Sequence, residues 1–232
     1  MSYLLRLLLP DRPGALGAVA TALGRVGIDI ISLAVVERST DGAIDDLVVQ
    51  LPMGGLADSA LTAAHSVAGV RVESLRPYLA DGAGVSDDLD LVDALTDRPG
   101  EAAAMLADLV PGVFHADWAL LLDYAGPGDV RIREASVGAP DLGVYDYASP
   151  PRAIEPVPWL PLPEARVIDP AEGGLPARWS ERGMELAAAP VGCAELVILI
   201  GRPGGPRFRS SEVARLAHLA GITASLARRT AL

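Results

Sequence analysis

The chain opens on a short apolar run, Leu4 to Leu9, interrupted by Arg6 and stopped by Pro10-Asp11-Arg12-Pro13-Gly14. A run of this length bounded by turn residues predicts a buried strand. Leu16, Val19, Ala20, Leu23 and Val26 then recur with the spacing of one helical face, and Gly27 supplies a helix stop. Ile28 to about Glu37 is rich in Ile and Val and predicts a second strand. Thr40-Asp41-Gly42 marks a hairpin into a third strand, Ile44 to Leu51. Leu56 to Val67 fits a second helix and Val70 to Leu75 a fourth strand. The order β, α, β, β, α, β is the ferredoxin-like split pattern.

Small residues without apolar periodicity follow, so residues 80–86 are expected to link a first domain, 1–79, to a second, 87–232. In the second domain Leu91, Val92 and Leu95 suit a helix, as does Ala102 to Val110. Ala116 to Asp123 and Val130 to Val137 suit strands, the latter half exposed. Gly138 to Pro176 is rich in Pro, Gly and Tyr and predicts a long loop region. Glu185 to Val191 and Leu196 to Gly201 predict a strand pair turning near Gly192. Ser210 is expected to cap a long amphipathic helix carrying Val213, Leu216, Ala220 and Leu226.

The N-terminal motif D-R-P-G-A-L (Asp11 to Leu16), followed by an alanine-rich helix and G-I-D-I, resembles the ACT domain, and in particular the regulatory domain of D-3-phosphoglycerate dehydrogenase. The resemblance spans the first 78 residues. It implies an α+β, ferredoxin-like βαββαβ module that binds an amino acid where two such modules pair. Carried over, its ligand positions fall at Leu9, Asp11 and Asp29, where the resembled domain has His, Asn and Asn. Leu9 removes a polar contact and the two amides become acids. Asp11, Arg12, Pro13, Gly14, Ala15 and Leu16 form the loop that would hold the ligand. The physics of that loop is independent of the resemblance. A helix opening after Pro-Gly leaves the N–H groups of Gly14, Ala15 and Leu16 without helical partners, and with the helix dipole they favour a carboxylate. Asp11 beside them would accept from an ammonium. The alternative is that Asp11 only caps the helix.

The remainder resembles a GAF domain, an α/β sensor fold, in A-D-W-A-L-L-L-D, in A-P-V-G followed by L-V-I-L-I-G-R, and in G-P-R-F-R-S-S-E-V before the terminal helix. The GAF resemblance implies a six-stranded sheet. The cyclic-nucleotide motif of that family is reduced to scattered Phe208 and Glu212. Asp97-Arg98-Pro99-Gly100 repeats Asp11-Arg12-Pro13-Gly14, which leaves open a second ACT unit.

Composition narrows the function. Among 232 residues the net charge is -11, which argues against nucleic acid and against anionic membrane surfaces. No run approaches a membrane span and no signal peptide is evident, so a cytoplasmic protein is expected. The single cysteine, Cys193, excludes an internal disulfide. Its apolar neighbours predict a packed, unreactive thiol in the strand pair. His65, His115 and His218 show no metal spacing, and Asp87, Asp88, Asp90 and Asp93 lack a calcium-loop pattern. His65 and His218 are expected at the surface. Trp118, Tyr145, Tyr147, Trp159 and Trp179 either line a pocket or pack a core. No nucleophile elbow, phosphate loop or dinucleotide fingerprint is found. The expectation is a homodimeric, non-catalytic sensor of an amino acid or similar zwitterion, without cofactor or metal. The alternative is a regulatory subunit that docks on an enzyme or transcription factor and binds nothing small.

Overall fold

The computed structural model describes residues 1–78, 88–140, 157–181 and 183–230. It divides into two units, Met1–Gly84 and Val85–Leu232. The linker expected at 80–86 lies outside the described residues, as do Tyr145, Tyr147 and Asp87.

The first unit runs β1 (Ser2–Leu9), α1 (Ala15–Arg25), β2 (Asp29–Ser39), β3 (Gly42–Gln50), α2 (Ala57–His65) and β4 (Arg71–Pro77). Its sheet has the order β2-β3-β1-β4, with every described pairing antiparallel. Leu5, Leu7 and Leu9 of β1 point to one face with Leu47 and Val49 of β3. There they pack with Val19 and Leu23 of α1 and Ala60 and Ala64 of α2. Side chains of β1 alternate between faces. Leu4 and Arg6, on the other face, are buried as well, which is why β1 reads as an almost unbroken apolar run. Arg6 survives there because its guanidinium donates two 2.7 Å hydrogen bonds to the carboxylate of Asp46 on β3.

The second unit runs α3 (Asp88–Asp97), a 3-10 turn (Pro99–Glu101), α4 (Ala102–Val113), β5 (Trp118–Gly126), β6 (Asp129–Ala135), β7 (Arg166–Ile168), a second 3-10 turn (Pro170–Glu172), α5 (Ala177–Glu181), β8 (Met184–Pro190), β9 (Leu196–Pro203) and α6 (Ser210–Thr230). The sheet order is β6-β5-β9-β8-β7. These are five strands among the described residues, where the GAF resemblance implies six. The central strands are apolar on both faces. Ala119, Leu121, Ile198 and Ile200 meet the helices through Leu106, Val110, Leu216 and Ala220. Leu120, Leu122, Val197 and Leu199 face a second cluster containing Trp118, Trp159 and Trp179. The tryptophans therefore pack a core. Trp118 and Trp179 stand 5.0 Å apart, tilted by 48°.

Trp118 pairs with Gly201 across the β5·β9 ladder. A Cβ at Gly201 would come within 2.0 Å of the Trp118 ring, so only glycine lets the indole lie against that backbone. The second Asp-Arg-Pro-Gly follows helix α3, not a strand, and opens α4 through the 3-10 turn. The second unit is therefore not a repeat of the first.

Three expectations are corrected. Strand β7 lies inside the stretch 138–176 read as loop. It is 3 residues long, with Pro163 and Pro170 close on either side, too short for a period to register. Ser210 is the first helical residue, and the Glu212 side chain accepts from the N–H of Arg209 at 2.8 Å. Cys193 is exposed, because it belongs to the turn between β8 and β9 and not to either strand.

Candidate functional site

The loop from Pro10 to Gly14 connects the end of β1 to α1. Leu9 is buried in the core, opposite Ala43 on β3. The chain then turns outward. The N–H of Arg12 donates to the carbonyl of Pro10 at 2.8 Å, and that of Ala15 to the carbonyl of Arg12 at 3.3 Å. Gly14 caps α1 with φ 84°, a left-handed backbone that glycine adopts without the steric cost a side chain adds. No side chain caps this helix. Asp11 is thus exposed and is not the helix cap. Arg12 turns away from the mouth of the loop and donates through Nη2 to the carbonyl of Ala68 at 3.1 Å, tying the loop to the α2–β4 connection.

This arrangement modifies the donor set read from the sequence. Ala15 is buried and its N–H is taken by Arg12. The N–H groups of Gly14 and Leu16 have no hydrogen-bond acceptor among the described residues. They stand at the positive end of an 11-residue helix whose first turn carries no acidic residue. Two donors at such an end suit a carboxylate.

Asp29 is not brought to this loop within one chain. It opens β2 opposite Gln50, which pairs with Ser2, the first residue of β1. Asp11 follows Leu9, the last. The 8 residues of β1 put these two ends of the sheet roughly 25 Å apart. Both carboxylates are exposed.

β2 is an edge strand. It carries exposed Ile31 (54%), Leu33 (44%) and Val35 (50%). Register shifts on either side of this segment, between Ile30 and Ser32 and between Val35 and Glu37, bend it locally.

Sequence reasoning missed Asp45. It occupies β3 opposite Leu7 on one side and Val35 on the other. Paired residues share a face, so Asp45 points to the side where Leu7 is fully buried among the helices. It is 4% exposed, and its Oδ1 has no hydrogen-bond partner. Burial pushes its carboxyl above the usual range, Arg38 opposes this, and neighbouring Asp46 adds to it. The signal was present as Ile44-Asp45-Asp46-Leu47, two acids inside a strand, one of which must fall on the core face.

Elsewhere, His65 and His218 are exposed. A groove of about 500 Å³ in the second unit is lined by Arg98, Glu101, Met105, Asp108, Leu109 and Glu134. Among the described residues there is no cluster of metal-ligating side chains and no helix long and apolar enough to cross a membrane.

Residues 3–61 match the family model of the ACT domain. No curated protein matches the chain. Among solved structures, a GAF domain/HD domain protein from Geobacter sulfurreducens aligns at 19% identity and TM-score 0.44, over 60% of this chain and 97% of that one. The chromophore-binding domain of the Stigmatella aurantiaca bacteriophytochrome aligns at 11% identity and TM-score 0.40, over 96% and 93%. A formyltetrahydrofolate deformylase from Pseudomonas putida aligns at 12% identity and TM-score 0.27, over 34% and 29%. The N-terminal unit is thus an ACT domain, and GAF-containing proteins are among the structural neighbours of the chain. What those neighbours bind or catalyse is theirs.

Proposed function

We propose that this chain is a non-catalytic regulatory protein whose ACT unit binds an amino acid at the β1–α1 loop, in a homodimer joined through β2. ACT domains commonly bind amino acids and dimerise. The observation that carries the reading is the loop itself. Its helix opens on Gly14 without a side-chain cap, so the N–H groups of Gly14 and Leu16 are presented to a ligand carboxylate.

Topology supports the dimer. β2 runs parallel to β1, with β3 antiparallel between them. A two-fold axis that pairs β2 with its copy antiparallel carries the partner subunit's Asp29 toward the Ser39 end of β2. That is the end at which β1 finishes at Leu9 and the ligand loop begins. The same pairing removes the open edge of the strand that carries Ile31, Leu33 and Val35. Asp11 and the partner subunit's Asp29 would then rim one site.

The test is a thermal-shift and calorimetric screen of the full chain against the common amino acids. At about 100 times the dissociation constant, binding adds about 2.7 kcal/mol, which raises the melting temperature of a unit of this size by on the order of 10 °C. Failure of every amino acid to bind in the millimolar range overturns the reading. A second reading, docking on a protein without a small ligand, is favoured by the groove with Glu101, Asp108 and Glu134 over Met105 and Leu109. Its mark is a basic partner that co-purifies while every amino acid fails.

A further inference from the structure

We infer that Asp45 receives the ammonium of the bound amino acid, while the open end of α1 takes its carboxylate and the exposed ledge of Leu33 and Val35 takes an aliphatic side chain. The inference rests on the amino-acid reading above and changes which residue carries the charge recognition.

Asp45 and the loop share one face of the sheet. Asp45 stands opposite Leu7, and two positions along β3 Ala43 stands opposite Leu9, from which the loop departs. Two strand residues span about 7 Å, so Asp45 stands one such step along β3 from the position opposite which the loop begins. Ala15, the first residue of that helix, is buried in the same cluster as Leu7 and Leu9. A helix end presenting free N–H groups and a buried acid with an unbonded oxygen thus lie on the same side of the same strands. They are the two complements of a zwitterion.

The charges around Asp45 leave this role open to a ligand. Arg6 is engaged by Asp46 on the opposite face. Arg38 on β2 is exposed, sits opposite Ala43, and acts on Asp45 without a hydrogen bond to the unbonded Oδ1. β1 contributes Leu7 to this face, and α1 carries no titratable residue before Arg25. An ionised carboxylate buried without a cation is costly, and the alternation of β3 asks for an aliphatic residue at this position. A ligand ammonium would compensate the charge with a charge-assisted hydrogen bond.

The ledge sets the class. Val35 pairs with Asp45 and Leu33 with Leu47, so both lie on the face of Asp45, yet each is about half exposed. Ser32, the neighbouring hydroxyl on β2, pairs with Val48 and so lies on the opposite face, so leucine or valine fits better than serine.

The experiment is calorimetry and thermal denaturation of the full chain, wild type, Asp45→Asn, Asp45→Val and Asp11→Ala, with leucine, valine, serine and 4-methylpentanoate, the analogue of leucine lacking the amine. The expected result is that wild type binds leucine or valine more tightly than serine and does not bind 4-methylpentanoate. Asp45→Asn and Asp45→Val should melt higher than wild type without ligand and lose at least tenfold in leucine affinity, whereas Asp11→Ala loses less. Leucine binding retained in both Asp45 variants overturns the inference and leaves the amino-acid reading standing. A lower melting temperature of both variants without ligand marks Asp45 as a structural group and also overturns it. Wild type that binds no amino acid overturns both.

Discussion

Arg202 on β9 and Glu212 on α6 form an ion pair of 2.8 Å, with side chains 0% and 6% exposed. The same guanidinium donates to the carbonyls of Phe114, after α4, and of Pro206, and lies 4.0 Å over the ring of Phe208. One cation thereby fastens the last helix to the sheet and to α4.

Removal of one partner leaves a buried charge unanswered. Glu212→Ala should therefore destabilise the second unit by about 3–5 kcal/mol, read as a shift of the urea midpoint at constant slope. The paired replacement Arg202→Met with Glu212→Leu should recover much of that loss. A Glu212→Ala midpoint within error of wild type would sink this assignment.

The ACT unit should gain stability as the solution is acidified, up to a point. Burial raises the folded-state pKa of Asp45 above its unfolded value. A raised acid takes up a proton on folding between the two values, so its cost is present at neutral pH and shrinks as pH falls through the folded pKa. Arg38 and Asp46 act on the same carboxyl, and Asp41 and Glu37 are the nearest further charges in sequence. Denaturation of wild type and Asp45→Asn across mildly acidic pH is the check: the stability difference in favour of Asn should narrow toward lower pH. A constant difference would show that Asp45 does not titrate with folding.

If the proposed β2-to-β2 dimer forms, Leu33→Lys with Val35→Lys should convert it to a monomer. Both residues lie on an edge strand and are about half exposed, so lysine costs the single chain little and opposes edge pairing. Light scattering at micromolar concentration, with circular dichroism as the control for folding, reads the outcome. A dimer of unchanged strength would place the interface elsewhere.

Cys193 should react readily with a thiol reagent in the native state, because it is exposed in the β8–β9 turn. Protection that disappears only on denaturation would contradict the exposure. Its labelling provides a site for a fluorescent probe among the described residues without disturbing either core.

The periodicity of the chain by itself determined the order of elements in the ACT unit. β1, α1, β2, β3, α2 and β4 each carry enough consecutive apolar positions for burial to select one conformation, and a one-residue slip would turn Leu5, Leu7 and Leu9 to the wrong face. The same held for β5, β8, β9 and α6 in the second unit. β7 was lost because a strand of 3 residues contains no period. What only the tertiary structure decided is which groups meet. Asp11 is adjacent to the helix start in sequence but does not cap it, since the backbone turns left-handed at Gly14 first. Asp29 shares a unit with Asp11 yet lies at the other end of the sheet, because strand length sets a separation that the sequence states only once the register is known. Asp45 and Asp46 are adjacent acids within β3, and the sequence does not distinguish them. The pairing with Leu7 sent Asp45 to the helix face and Asp46 to Arg6, and that choice of face made one carboxylate a satisfied ion pair and left the other buried with an oxygen that has no hydrogen-bond partner.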